Sequence, residues 1–116
     1  MTDDEQLHLL LAEYYAKAKG WEIFVDQNSY FTAIKYKIPP GYQGETTYVP
    51  AHKLTDLNWL FELLWTLGTY SVRISPVPNG YKCFIYIDGK DKITAIAPTP
   101  ELAIAMCEGW IIKEKK

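Results

Sequence analysis

Side chains able to ligate a metal through nitrogen or sulfur, or to act as soft nucleophiles, are few in this chain. His8, His52, Cys83 and Cys107 are the only histidines and cysteines. Structural zinc draws on ligands in short paired spacings, and these four are widely scattered, so no metal site is expected. A Cys–His nucleophile pair would have to join Cys107 to His52. Cys107, however, falls inside a helical pattern between Met106 and Glu108, with no basic neighbour or helix N-terminus to lower its pKa. The sequence contains neither a Gly-x-Ser-x-Gly elbow nor a Gly-x-x-x-x-Gly-Lys phosphate loop. Asp88-Gly89-Lys90-Asp91 reads as a hairpin turn, because a calcium loop needs several more oxygen ligands. Glu22 and Asp26 share one parity on a strand, a solvated face without an acid–base partner. The expectation is a non-enzymatic protein without a cofactor.

Aromatic side chains offer more. Nine Tyr, four Trp and four Phe make up 15% of the chain, and such residues dominate both cores and binding hot spots. On a helical wheel, Leu57, Leu60, Phe61, Leu64 and Leu67 share one side with Trp65 at its edge, while Trp59 falls opposite with Glu62 and Thr66. A tryptophan so placed is either an exposed anchor or is covered, here beneath Tyr48 or Pro50 of the preceding segment. Tyr42, Tyr48, His52, Lys53, Trp59 and Glu62 are therefore the first candidate binding surface. A second candidate is a nucleotide pocket of Tyr30, Lys35, Tyr36, Lys37 and Arg73, joined by Tyr42 and Tyr48, since purines stack on rings and phosphates need cations. The plainer reading of Lys35 and Lys37 is protection of a sheet edge.

These residues need elements to hold them. Thr2 with Glu5 forms a capping box, Leu7, Leu10, Leu11, Tyr14 and Ala18 recur at helical spacing, and Gly20 stops a helix over 3–19. A strand beginning at Trp21, turn residues Asp26–Ser29 and a return strand over Tyr30–Ile38 make a first hairpin. Pro39-Pro40-Gly41 ends it, and 39–55 reads as a long loop without periodicity, a kind often functional. Thr55 caps a second helix ended by Gly68. Val72 and Ile74 mark a third strand, with a turn over Pro76–Gly80. A fourth strand over Tyr81–Ile87, an Asp88-Gly89 turn and a fifth over Lys92–Ala97 follow. Thr99 and Pro100 open a third helix to about Lys113. The order is α-β-β-α-β-β-β-α, which predicts an α+β fold: one mainly antiparallel five-stranded sheet layered with three helices. No internal repeat is evident.

The third helix is apolar nearly all round. Leu102, Met106 and Trp110 lie on one side, and Ile104, Cys107 and Ile111 lie opposite. Two arrangements satisfy it. Ile104, Cys107, Ile111 and Leu9 form the seam of a homodimer, or the first and third helices pack within one chain.

At 116 residues the chain reads as a single domain, 1–116. With 48% hydrophobic and 22% charged residues it has the composition of a globular protein. Its net charge is -2 and Arg73 is its only arginine, which argues against duplex nucleic acid as a partner. Two cysteines make no disulfide framework, the acidic start lacks signal-peptide character, and no apolar run approaches a membrane span. A reducing cytoplasm is the expected compartment.

Gly20-Trp21, Thr55-Asp56-Leu57-Asn58 and Ala95-Ile96-Ala97-Pro98-Thr99-Pro100-Glu101-Leu102-Ala103-Ile104 together resemble the "ABA sandwich" proteins of phages and prophages. The resemblance spans nearly the whole chain. It implies a phage setting and a sheet layered with helices, and brings no enzymatic activity to transfer. The resulting expectation is a non-catalytic phage accessory protein in the cytoplasm of the infected host. It would bind a host protein and inhibit a defence system such as CRISPR–Cas, with acidic side chains and aromatic anchors competing for a basic surface. The alternatives are a protein that sequesters a nucleotide signal and a virion or assembly component.

Overall fold

A computed structural model describes residues 2–27, 32–41, 44–68, 70–87 and 91–115. Tyr30, Tyr42 and the turn positions Asn28, Ser29, Asp88, Gly89 and Lys90 lie outside the described residues. The chain forms two compact units, Met1–Lys53 and Leu54–Lys116.

The first unit is α1 (Asp3–Lys19), β1 (Glu22–Gln27), β2 (Thr32–Ile38) and β3 (Thr47–Pro50). The capping box forms as the sequence predicts. The Glu5 N–H donates to Thr2 Oγ1 and the Thr2 N–H donates to Glu5 Oε1, each at 3.1 Å. Hydrogen bonds from Thr2 hold the Glu5 carboxyl below its ordinary range. Gly20 takes the left-handed conformation, φ 78°, that ends the helix and releases the chain into β1. The strands pair antiparallel in the order β1-β2-β3. Helix α1 packs on β1 and β2, burying Leu11, Tyr15 and Ala16 from the helix and Ile34 and Tyr36 from the central strand.

The second unit is α2 (Leu57–Leu67), β4 (Tyr70–Val77), β5 (Gly80–Ile87), β6 (Asp91–Ala97) and α3 (Pro100–Glu114). Its sheet is again an antiparallel meander, β4-β5-β6. Helix α3 lies on β5 and β6, and α2 lies on α3. Leu60, Leu63, Ile85, Ile104 and Ile112 are fully buried, each contributing about 1.5–3 kcal/mol.

Three expectations are corrected here. The strands form two separate three-stranded sheets rather than one sheet of five, and the order is α-β-β-β-α-β-β-β-α. The additional strand is β3, within the segment read as loop: only four residues long and ending in proline, it has no periodicity to announce it, and pairing with Lys35–Ile38 creates it. Strand β4 continues through Pro76, which a sheet edge tolerates, so the turn contracts to Pro78-Asn79 with Val77 opposite Gly80. Gly80 is required there: at φ 148°, a Cβ would run into the Ala97 carbonyl. Asp56, whose carboxylate accepts the Trp59 N–H at 3.1 Å, caps α2 in place of Thr55.

Candidate functional site

In the first unit the chemistry gathers around His52. Tyr36 points from β2 toward α1, where its ring meets Tyr15 (5.7 Å between centroids) and Trp21 (5.5 Å). Trp21 is set against Tyr15 because its N–H returns to the Ala16 carbonyl at the helix end. His52, just beyond β3, packs its ring edge-on to Tyr15 at 5.3 Å. The Tyr36 hydroxyl accepts the His52 backbone N–H (3.4 Å) and is hydrogen-bonded to the ring Nδ1 at 2.9 Å. The His52 carbonyl can only accept, so His8 donates from Nε2 and its tautomer is set. His8 and His52, far apart in sequence, thus fasten the strand end to α1. Among the described residues, no group of three or more His, Cys, Asp or Glu side chains could hold a metal.

The first candidate surface does not have the composition the sequence predicts. Tyr48 is exposed on β3 and packs edge-on to Phe24 at 5.5 Å, Lys53 is exposed, and His52 is engaged as described. Trp59 is 1% exposed and cannot serve as an anchor; Trp65, at 79%, is the tryptophan of α2 that faces solvent. The reversal has a plain cause. Helix α2 carries a polar arc of Asn58, Glu62 and Thr66, all exposed, and the buried arc across from it centres on Leu60, Leu63, Leu64 and Leu67 and extends to Trp59 rather than to Phe61. Leu57, Phe61 and Trp65, one helical turn apart, form the exposed stripe, with Glu62 also exposed.

The nucleotide pocket is not assembled either. Strand alternation turns Tyr36 inward and puts Lys35 and Lys37 on the opposite face, while Arg73 belongs to the other unit. Lys35 and Lys37 do not guard an edge, since β2 is the central strand. Lys37 Nζ instead lies 3.6 Å from a Glu22 carboxylate oxygen, its cross-strand partner. Both sheets carry aromatics on the face turned away from the helix: Phe24 with Tyr48 in the first, and Phe84 with Tyr86 in the second. Strand parity is the sequence signal for these pairs.

The dimer seam is corrected as well. Ile104, Cys107 and Ile111 are at most 3% exposed, enclosed between the sheet and α2, and Leu9 is half-buried in the first unit. Met106 and Trp110 are the large apolar side chains that α3 leaves exposed. On the opposite side of the helix, Glu108 is fully buried, and neither carboxylate oxygen has a hydrogen-bond partner. Burial, with Cys83 nearby, pushes its carboxyl up to about 9, so it is held neutral at pH 7. The Cys107 thiol points at the Cys83 carbonyl, 3.8 Å away. Its hydrogen bond with Cys83 and its burial push it up, away from thiolate chemistry.

No family model, no curated protein and no solved structure matches this chain. No helix among the described residues is long and apolar enough to cross a membrane.

Proposed function

We propose that the protein is a non-catalytic binding protein that docks a host protein on the exposed stripe of α2. The observation that carries this reading is Trp65, 79% exposed in line with Phe61 and Leu57. Tryptophan is one of the residues most enriched at binding hot spots, and helices docked in grooves use anchors at this spacing. Charge selects the partner's chemistry. Helix α2 contains no Lys or Arg and carries Glu62, with Asp56 at its start, which suits an apolar groove with a cationic rim. The more specific form is a phage accessory protein that inhibits a bacterial defence component in the host cytoplasm. It is supported by the sequence resemblance and by the acidic balance of a chain with net charge -2.

The test is co-purification from the bacterial host, followed by titration of the purified partner. Wild-type protein should recover a stoichiometric partner at moderate salt, and Trp65→Ala should weaken binding by at least about 2 kcal/mol with the melting temperature unchanged. Recovery of no stoichiometric protein, or undiminished binding by the variant, would overturn the reading.

A further inference from the structure

We propose that the solvent face of the β4-β5-β6 sheet binds single-stranded nucleic acid, independently of the α2 stripe. Phe84 and Tyr86 stand two residues apart on the central strand, so both rings emerge on the face opposite the one α3 covers. Each is half-buried. Their spacing along the strand is about 7 Å, room for one base on each. Cations are supplied beside them. Arg73 is exposed and directly opposite Phe84 on β4, and Lys82 holds its ammonium 5.0 Å from the Phe84 ring centroid. A lysine is flexible enough to swing from the ring to a phosphate when a base takes its place.

The comparison with the other sheet strengthens this. Its solvent face also presents an aromatic pair and two lysines, but Glu22 and Asp26 share that face, and Glu22 takes up Lys37. On the β4-β5-β6 face the described side chains include no carboxylate, so the cations there remain available to an anion. Stacking on a side chain requires unstacked bases, which a duplex does not offer. The two cations among the described side chains of this face, in a chain of net charge -2, are also too few to hold a duplex by its backbone.

Fluorescence anisotropy with a labelled single-stranded oligonucleotide of about twelve residues, and with the duplex of the same sequence, tests the proposal. The single strand should bind and the duplex should bind at least about tenfold more weakly. With two phosphate contacts, raising salt from about 50 to about 200 mM should weaken single-strand binding about sevenfold. Replacing Phe84 and Tyr86 together by Ala should cost at least about tenfold. Arg73→Ser, an exposed change that leaves the core intact, should weaken binding and roughly halve the salt slope. Lys35→Ser, on the other sheet, should change nothing. The proposal fails if no single strand binds, if duplex binds equally, or if Arg73→Ser binds as wild type does. Equal loss from Lys35→Ser would also overturn it, by showing diffuse charge attraction rather than a site.

Discussion

The two units share a helix and a three-stranded antiparallel meander, yet they close their interiors by different means. In the first, large polar rings meet: Tyr36, Tyr15, Trp21 and His52 interlock, and the Tyr36 hydroxyl is hydrogen-bonded to His52. In the second, leucines, isoleucines and Trp59 fill the space, and one carboxyl, Glu108, is enclosed with both oxygens unpartnered. A buried polar group supports a fold when it is hydrogen-bonded and opposes it when it is not. The same type of feature therefore acts with opposite sign in the two units.

The largest expected effect belongs to the apolar interior. Trp59→Ala should remove about 3–5 kcal/mol of stability in chemical denaturation, whereas Trp65→Ala should change it by less than about 0.5 kcal/mol. Equal effects of the two would erase the distinction between the buried and exposed arcs of α2.

Glu108→Gln comes next and runs the other way. The Glu108 carboxyl is raised from 4.5 to about 9, so the folded protein keeps a proton that the unfolded chain releases. Stability is thus undiminished by this group below about pH 4.5 and falls as pH rises toward 9, a loss on the order of 3 kcal/mol by pH 7. Denaturation at pH 5 and pH 8 should show a falling stability in wild type and a flatter response in the variant. A wild-type stability independent of pH across that range would mean that the carboxyl has found a partner.

The smallest effect lies in the first unit. Tyr36→Phe keeps the ring and removes only the hydroxyl that meets His52, at a cost of about 1–2 kcal/mol. A neutral result would show that His52 is held by ring packing and the His8 contact alone.

What could be read in advance divides along the same physical line. The caps at Thr2 and Thr99, the glycine stop at Gly20 and the spans of all three helices depend on residues within a turn of one another, and the sequence displayed them. The alternation of β2, with Ile34 and Tyr36 inward, was equally local. Of the candidate site, Tyr48 and Lys53 lie exposed as expected, but Trp59 changed places with Trp65, and Tyr36 parted from Lys35 and Lys37.

By itself the sequence determined the approximate spans of the helices, the caps of α1 and α3 and which strand residues share a face, because capping and alternation act over a few residues. Tertiary structure alone decided that 47–50 becomes a strand, that the strands divide into two sheets, and which arc of α2 is buried. It also decided that Glu108 is enclosed. Those outcomes depend on partners distant in the chain: Asn58, Glu62 and Thr66 mark the solvent side of α2, but which of the apolar residues bordering them is covered is set by what packs there.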